Sequence, residues 1–145
     1  MCYLLYLSTS SSEDLTRNNS DLINFQRLEI TEDARLSLLR NQEKWFVGSK
    51  SGCSCTFRHL FSVELGFGEP QDWFPEDEDQ LRATAALYQV IARLVGAGNR
   101  VDCLDIWQGA DEADIRTKVV SLNAVSEKAF RLFENYHFVF EANII

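Results

Sequence analysis

The chain has few of the residues that break regular structure. Its 145 residues include only seven glycines and two prolines. Hydrophobic residues make up 46% of the chain and aromatic residues 12%. This composition excludes collagen-like repeats, low-complexity chains and intrinsic disorder. A domain of this length buries about 70% of the surface that its unfolded chain exposes, so we expect residues 1–145 to form a single domain.

Basic residues and long hydrophobic runs are also scarce. Lysine and arginine total 14 against 22 acidic residues, which gives a net charge of −8. Such a chain repels a phosphate backbone, so we expect no nucleic acid partner. The apolar stretch at residues 2–7 is too short to span a bilayer and lacks the basic flank of a secretory signal. We therefore expect a cytoplasmic protein with no membrane partner.

The hydrophobic pattern predicts an α+β fold with a mixed sheet. Two or three strands and a short helix come first, at residues 2–7, 22–30, 45–47 and 31–39. The order then becomes strand, helix, strand, strand, helix, strand over residues 53–141. The main helix starts at Pro75, residues 101–107 and 115–122 pair as a hairpin, and the second helix starts at Asn123 or Ser126 and is closed by Asn135. This is the order of a ferredoxin-like split βαβ unit.

The most specific string is FVGSKSGCSCTF at residues 46–57. A regular strand over residues 53–61 would place Cys53, Cys55 and His59 on one face, because side chains alternate along a strand. The string resembles a segment of small, uncharacterised bacterial proteins in which an aromatic strand leads into G-S-x-x-G-C-x-C-x-F. The resemblance implies no particular activity.

The four cysteines predict thiol chemistry more than disulfides. In a reducing cytosol they are free thiols, metal ligands or redox groups. Cys53, Cys55 and His59 are candidate ligands for zinc, or a candidate redox centre, if the chain bends after Gly52 and a fourth ligand such as Cys103 or Cys2 joins them. The alternative is that buried cysteines fill space as small apolar residues, with His59 as a hydrogen-bonded core group.

Catalytic motifs are otherwise missing. The sequence has no G-x-S-x-G, H-E-x-x-H, P-loop or G-x-G-x-x-G, and His59 and His137 are its only histidines. One further resemblance concerns Cys2: a Met-Cys start that enters a strand is similar to glutamine amidotransferases of the N-terminal-nucleophile type, which implies a nucleophilic Cys2. The sequence as a whole does not indicate an enzyme.

An acidic segment at residues 69–79 predicts a partner surface. Trp73 and Phe74 lie there between six acids: Glu69, Asp72, Glu76, Asp77, Glu78 and Asp79. Aromatic anchors with an acidic rim suit a basic protein partner, although a helix start with both rings packed inward gives the same pattern. Our leading hypothesis is a non-enzymatic binding module without a cofactor; the alternative is a thiol-dependent redox or zinc-binding protein. A homodimer through an exposed sheet edge fits either hypothesis.

Overall fold

The fold is built on a mixed six-stranded sheet. The computed structural model describes residues 2–28, 33–50, 52–60, 66–70 and 75–142. In chain order the strands and the helix are β1 (Tyr3–Thr9), β2 (Ile23–Arg27), β3 (Glu43–Ser49), β4 (His59–Leu60), α1 (Glu78–Gly96), β5 (Val101–Trp107), β6 (Arg116–Ser121), β7 (Leu132–Phe133) and β8 (Tyr136–Glu141). Short 3₁₀ turns lie at Leu15–Asn18, Ala34–Leu38, Glu112–Asp114 and Leu122–Ala124. The class is therefore α+β, as the sequence predicts.

The sheet has the strand order β2-β3-β1-β5-β8-β6. All neighbours are antiparallel except β8 and β6, which run parallel. The predicted hairpin between residues 101–107 and 115–122 is wrong, because β8 lies between β5 and β6. The reason is visible in burial: β5 is buried along almost its whole length and needs a partner on each side, whereas β6 is largely exposed and suits a sheet edge.

Helix α1 has the predicted apolar stripe, but it begins at Glu78 rather than at Pro75. Asp77 caps its start by accepting a hydrogen bond from the backbone N–H of Gln80, and Glu78 and Asp79 lie in the first turn, near the positive end of the helix dipole. The buried stripe recurs at helical spacing: Ala83, Thr84, Leu87, Val90, Ile91, Leu94 and Val95. No helix among the described residues is long and apolar enough to cross a membrane.

The sheet separates a large core from a smaller one. Leu5 and Leu7 of β1 and Phe138 of β8 belong to the cluster that includes the buried residues of α1. The smaller cluster contains Leu104 and Ile106 of β5, together with Leu36 and Leu39 of the segment that crosses the other face. Both faces of the central strands are therefore covered, and side chains from alternate positions of one strand enter different cores.

The ferredoxin-like order is not confirmed. Residues 52–57 form bends and turns, so the strand predicted over residues 53–61 is wrong there, and residue 61 lies outside the described residues. Strand β4 is only two residues long and pairs in parallel with β7. The described part of residues 123–135 contains no second α-helix; Ala129 and Phe130 both donate to the Ser126 carbonyl, which makes a single turn. Asn135 has a φ of 59° and sits in the turn between β7 and β8 rather than closing a helix.

Candidate functional site

The turn after β3 sets the position of the two neighbouring cysteines. Gly52 has a φ of +87°, and its N–H donates to the Ser49 carbonyl at 2.9 Å. The Cys53 carbonyl then accepts two bonds from Ser49, from its N–H at 2.7 Å and from its hydroxyl at 2.7 Å. A Cβ on Gly48 would lie 3.1 Å from the Gly52 carbonyl oxygen, so the backbone folds closely on itself. This tight turn ends the strand and prevents the alternation that the sequence suggests.

Ser54 fixes the loop to the sheet. Its side chain is fully buried, accepts from the N–H of Leu5 at 2.8 Å and donates to the carbonyl of Val47 at 2.7 Å. The β1–β3 ladder begins only at Tyr6 and Phe46, so Leu5 and the residues before it are not paired directly with β3. The Ser54 hydroxyl replaces a ladder hydrogen bond at this point. The loop is thereby held against the start of β1, where Cys2 lies.

Replacing Ser54 by alanine should destabilise the protein by about 2–4 kcal/mol, because it leaves a buried N–H and a buried carbonyl without partners. Urea unfolding under reducing conditions, followed by circular dichroism, measures the loss as a lower midpoint at unchanged slope. The exposed Ser12→Ala variant is the matched control and should change stability by less than about 0.5 kcal/mol. Equal stability of the two variants would show that Ser54 does not bridge the strands.

Three cysteines meet beside this loop. The sulfur atoms of Cys2, Cys53 and Cys55 all lie within 4.8 Å of one another, and each residue is half-buried. None of the three forms a disulfide. The N–H of Tyr3 donates to the Cys55 sulfur at 3.3 Å, and Cys55 also contacts the thiols of Cys53 and Cys2. We call Cys2, Cys53 and Cys55 the thiol cluster.

The environment of Cys55 keeps its proton in place. Burial, followed by the hydrogen bond with Cys53, raises the pKa of the Cys55 thiol from 9.0 to about 11, and the bond from the Tyr3 N–H only partly opposes this. A thiolate rather than a thiol is the nucleophile in disulfide exchange. Cys55 is therefore a poor redox nucleophile near neutral pH in the metal-free protein.

Iodoacetamide should modify Cys55 at least about tenfold more slowly in the folded protein than in the urea-unfolded chain at pH 8. Raising the pKa by about two units makes the thiolate about 100-fold rarer, and the higher intrinsic nucleophilicity of a more basic thiolate recovers about tenfold of that. Quenched samples analysed by peptide mass spectrometry give the rate for each cysteine separately. A folded-state rate equal to or above the unfolded one would identify Cys55 as an activated thiolate and favour redox chemistry.

His59 does not join the thiol cluster. Its Nε2 contacts Oδ1 of Asp105 at 3.0 Å, its Nδ1 faces the carbonyl of Phe57 at 3.2 Å, and the ring of Tyr3 stacks on it with centroids 4.0 Å apart. The prediction that His59 shares a strand face with Cys53 and Cys55 is wrong, because residues 52–57 form bends and turns rather than a strand. Cys2 is instead the third member of the cluster.

Asp105, the partner of His59, is an unusual buried acid. It is 1% exposed, and its Oδ2 has no hydrogen-bond partner among the described residues. Burial raises the pKa of its carboxyl group, and the neighbouring His59 opposes the rise. Tyr3 connects the thiol cluster with the pair of His59 and Asp105, since its N–H contacts the Cys55 sulfur and its ring stacks on His59. Nothing in the sequence pattern of β5 distinguishes Asp105 from an exposed acid.

Cys103, the fourth cysteine, lies apart from the other three. It is 1% exposed within the large core, and burial raises the pKa of its thiol well above the ordinary value. Of the two residues considered as additional ligands, Cys2 is brought to the cluster and Cys103 is not. Cys103 packs as a small apolar residue.

The acidic segment at residues 69–79 is only partly described. Asp72, Trp73 and Phe74 lie outside the described residues, so the proposed aromatic anchors stay a prediction. Glu69 and Glu78 are exposed. Three of the remaining acids have structural partners: Glu76 pairs with Arg58, Asp77 caps α1 and Asp79 pairs with Lys50.

The thiol cluster is thus the described feature with the clearest chemical meaning. Two of its members, Cys53 and Cys55, come from the motif at residues 46–57, and the third comes from a residue about fifty positions earlier. Comparison with known proteins finds no matching family model, no significantly similar curated protein and no significantly similar solved structure.

Proposed function

We propose that this protein binds one thiophilic metal ion, zinc or copper(I), through Cys2, Cys53 and Cys55. The observation that supports the proposal is the convergence of three sulfur atoms within 4.8 Å of one another. A Zn–S bond of about 2.3 Å places bound sulfur atoms about 3.8–4.0 Å apart. The cluster therefore needs to contract by less than about 1 Å to hold such an ion.

The donor atoms select the class of metal. Thiolates prefer soft or borderline ions such as Cu⁺ and Zn²⁺, whereas Mg²⁺ and Ca²⁺ require oxygen ligands. No histidine or carboxylate among the described residues completes the group. Three thiolates alone satisfy Cu⁺, and with Zn²⁺ they leave one position for solvent or a second molecule, which is typical of sites that exchange their ligand.

Hydrogen bonds hold the backbone around the thiol cluster in place, as a metal site requires. Ser54 holds the loop that carries Cys53 and Cys55, and Cys2 is held by reciprocal bonds with Gln108: its N–H donates to Oε1 at 3.1 Å and its carbonyl accepts the Gln108 N–H at 2.9 Å. The N–H of Tyr3 is already directed at the Cys55 sulfur and stabilises a bound thiolate. Metal binding displaces the proton that the raised pKa of Cys55 retains, so affinity should fall as the pH falls.

Competition titration tests the proposal. The fully reduced, metal-free protein is mixed with Zn²⁺ or Cu⁺ already bound to a chromophoric chelator, and the loss of the chelator signal gives stoichiometry and affinity. We expect one metal ion to bind per chain, together with the ultraviolet charge-transfer absorption of metal-bound thiolates. Failure to withdraw either ion from a weak chelator, or binding that leaves the thiols freely titratable, would overturn the proposal.

The binding-module hypothesis remains the second proposal. Its support is the excess of acidic residues and the sequence of residues 69–79. The described acidic residues of this segment support the hypothesis less than the sequence does, because Glu76 pairs with Arg58 and Asp79 pairs with Lys50. A salt-sensitive complex with a basic protein, lost when Trp73 and Phe74 are replaced by alanine, would support it.

A further inference from the structure

Asp102, His137 and Thr117 form a polar group within the sheet, separate from the thiol cluster. Asp102 of β5 and His137 of β8 are both 1% exposed. The Nε2 of His137 contacts Oδ2 of Asp102 at 2.7 Å, and its Nδ1 contacts the hydroxyl of Thr117 at 3.2 Å. Thr117 is on the edge strand β6, directly opposite His137 in the register, and is exposed. A continuous hydrogen-bonded chain therefore runs from the buried carboxyl group of Asp102 to the hydroxyl of an exposed residue, Thr117.

The partners of Asp102 determine which way the hydrogen bonds point. Its Oδ2 also accepts the N–H of Arg40 at 2.9 Å, and its Oδ1 accepts the hydroxyl of Ser8 and the side-chain N–H of Asn41, the latter at 3.2 Å. With these three N–H and O–H donors directed at it, the Asp102 carboxyl group is an acceptor toward His137 as well. The His137 Nε2 consequently donates to Asp102, and Nδ1 is left as the acceptor that faces Thr117.

This is the arrangement of an activated hydroxyl. A nucleophile within hydrogen-bond reach of a histidine, which is itself oriented by a third group, is the general signature of nucleophilic catalysis. We propose that Thr117 is a nucleophile that accepts acyl groups from activated esters, with His137 as its general base and Asp102 as a positioning residue. The proposal is independent of metal binding by the thiol cluster.

The reaction balances within these groups. The Thr117 oxygen forms a bond to the acyl carbon while its proton passes to Nδ1 of His137. The bond from the acyl carbon to the leaving group then breaks, and the proton on Nδ1 passes to the departing oxygen. Asp102 keeps its hydrogen bond with Nε2 throughout and holds the ring in the tautomer that receives the proton at Nδ1.

The neighbours of Thr117 indicate an apolar acyl group. Val119 lies two residues along β6 on the same face and is 55% exposed, and it is the large hydrophobic side chain that the described residues leave open to solvent. Ile115, two residues earlier, packs against the smaller core. An acyl chain bound at Thr117 would cover the exposed surface of Val119.

Diisopropyl fluorophosphate is a suitable probe, because it reacts with activated hydroxyls by losing fluoride and leaves a stable phosphoester. After incubation with the intact reduced chain, peptide mass spectrometry locates the label. We expect Thr117 to be labelled at least about 100-fold faster than the exposed Ser12 and Thr16 of the same chain, which is the lower range of general-base assistance. This internal comparison requires no variant of a buried residue.

Variants of the exposed residue complete the test. Thr117→Val keeps the shape of the side chain and should abolish the label, whereas Thr117→Ser keeps the hydroxyl and should retain it. His137→Gln, where it folds, should slow labelling by at least about 100-fold. Labelling of Thr117 at the rate of Ser12 and Thr16, or at an unchanged rate in folded His137→Gln, would overturn the proposal.

Discussion

Replacing any one of Cys2, Cys53 or Cys55 by serine is expected to lower the affinity for Cu⁺ or Zn²⁺ by at least about 100-fold. The loss of an outer-shell partner alone costs up to about 100-fold in metal affinity, and the loss of a ligand costs more. Serine is nearly the same size as cysteine, but its hydroxyl is a hard, protonated donor that does not replace a thiolate. Competition titration against the same chelator measures all three variants on one scale.

The fourth cysteine provides the matched control. Cys103→Ala removes a thiol from the core, outside the group of three sulfur atoms. It should bind metal with unchanged stoichiometry and with affinity within about threefold of the wild type, although it loses some stability through the cavity it leaves. An equal loss of affinity in Cys103→Ala and Cys55→Ser would show that the chain binds metal through scattered thiols, and the proposed cluster would be wrong.

Sequence periodicity predicts the elements that pack on one continuous face. Helix α1 is an example, because its buried residues repeat at helical spacing, although the helix begins at Glu78 rather than at the predicted Pro75. The same reasoning fails at residues 53–57, where Cys-Ser-Cys-Thr-Phe alternates like a strand. In the structure the buried polar residue is Ser54, which faces β1 and β3, while Cys53 and Cys55 are half-exposed. A hydroxyl that replaces a ladder bond leaves no trace in a hydrophobic pattern.

The candidate sites depend on strand order, which local patterns do not determine. The sequence singles out Cys53 and Cys55 and names Cys2 among two further ligands, but only the fold shows that the start of β1 lies beside this loop. The pair of Asp102 and His137 forms because β8 inserts next to β5. The predicted hairpin between β5 and β6 would have excluded β8 from that position. Long-range pairing therefore decides which polar residues meet.

Replacing Arg58 by methionine should destabilise the protein by about 3–5 kcal/mol, the cost of removing one partner from a buried ion pair. The Arg58 side chain is 2% exposed, and its Nε and Nη2 each bind Glu76 at 2.7 Å. It also donates to three backbone carbonyls: those of Lys128 at 2.8 Å, Phe130 at 3.2 Å and Gly68 at 3.0 Å. Methionine fills the volume but leaves a largely buried carboxylate and the carbonyls of Lys128 and Phe130 without the guanidinium donor, while the Gly68 carbonyl keeps its bonds from Arg131. Arg58 follows directly on residues 52–57, so the variant should also weaken metal binding by the thiol cluster.

Urea unfolding of Arg58→Met and Arg93→Met compares the free energy of unfolding lost with a buried ion pair and with a surface ion pair. Arg93 binds Glu13 at 2.7 Å but is 47% exposed, so its loss should cost less than about 1 kcal/mol. The difference in the free energy of unfolding between the wild type and Arg58→Met should also depend on pH. Hydrogen bonding to Arg58 lowers the pKa of Glu76 below its ordinary 4.5, so the pair stabilises the fold above that pH and its contribution is lost as the pH falls through the lowered pKa. A deficit of about 1 kcal/mol or less at neutral pH, matching Arg93→Met, would mean that Arg58 does not hold residues 66–70 and 128–130 together.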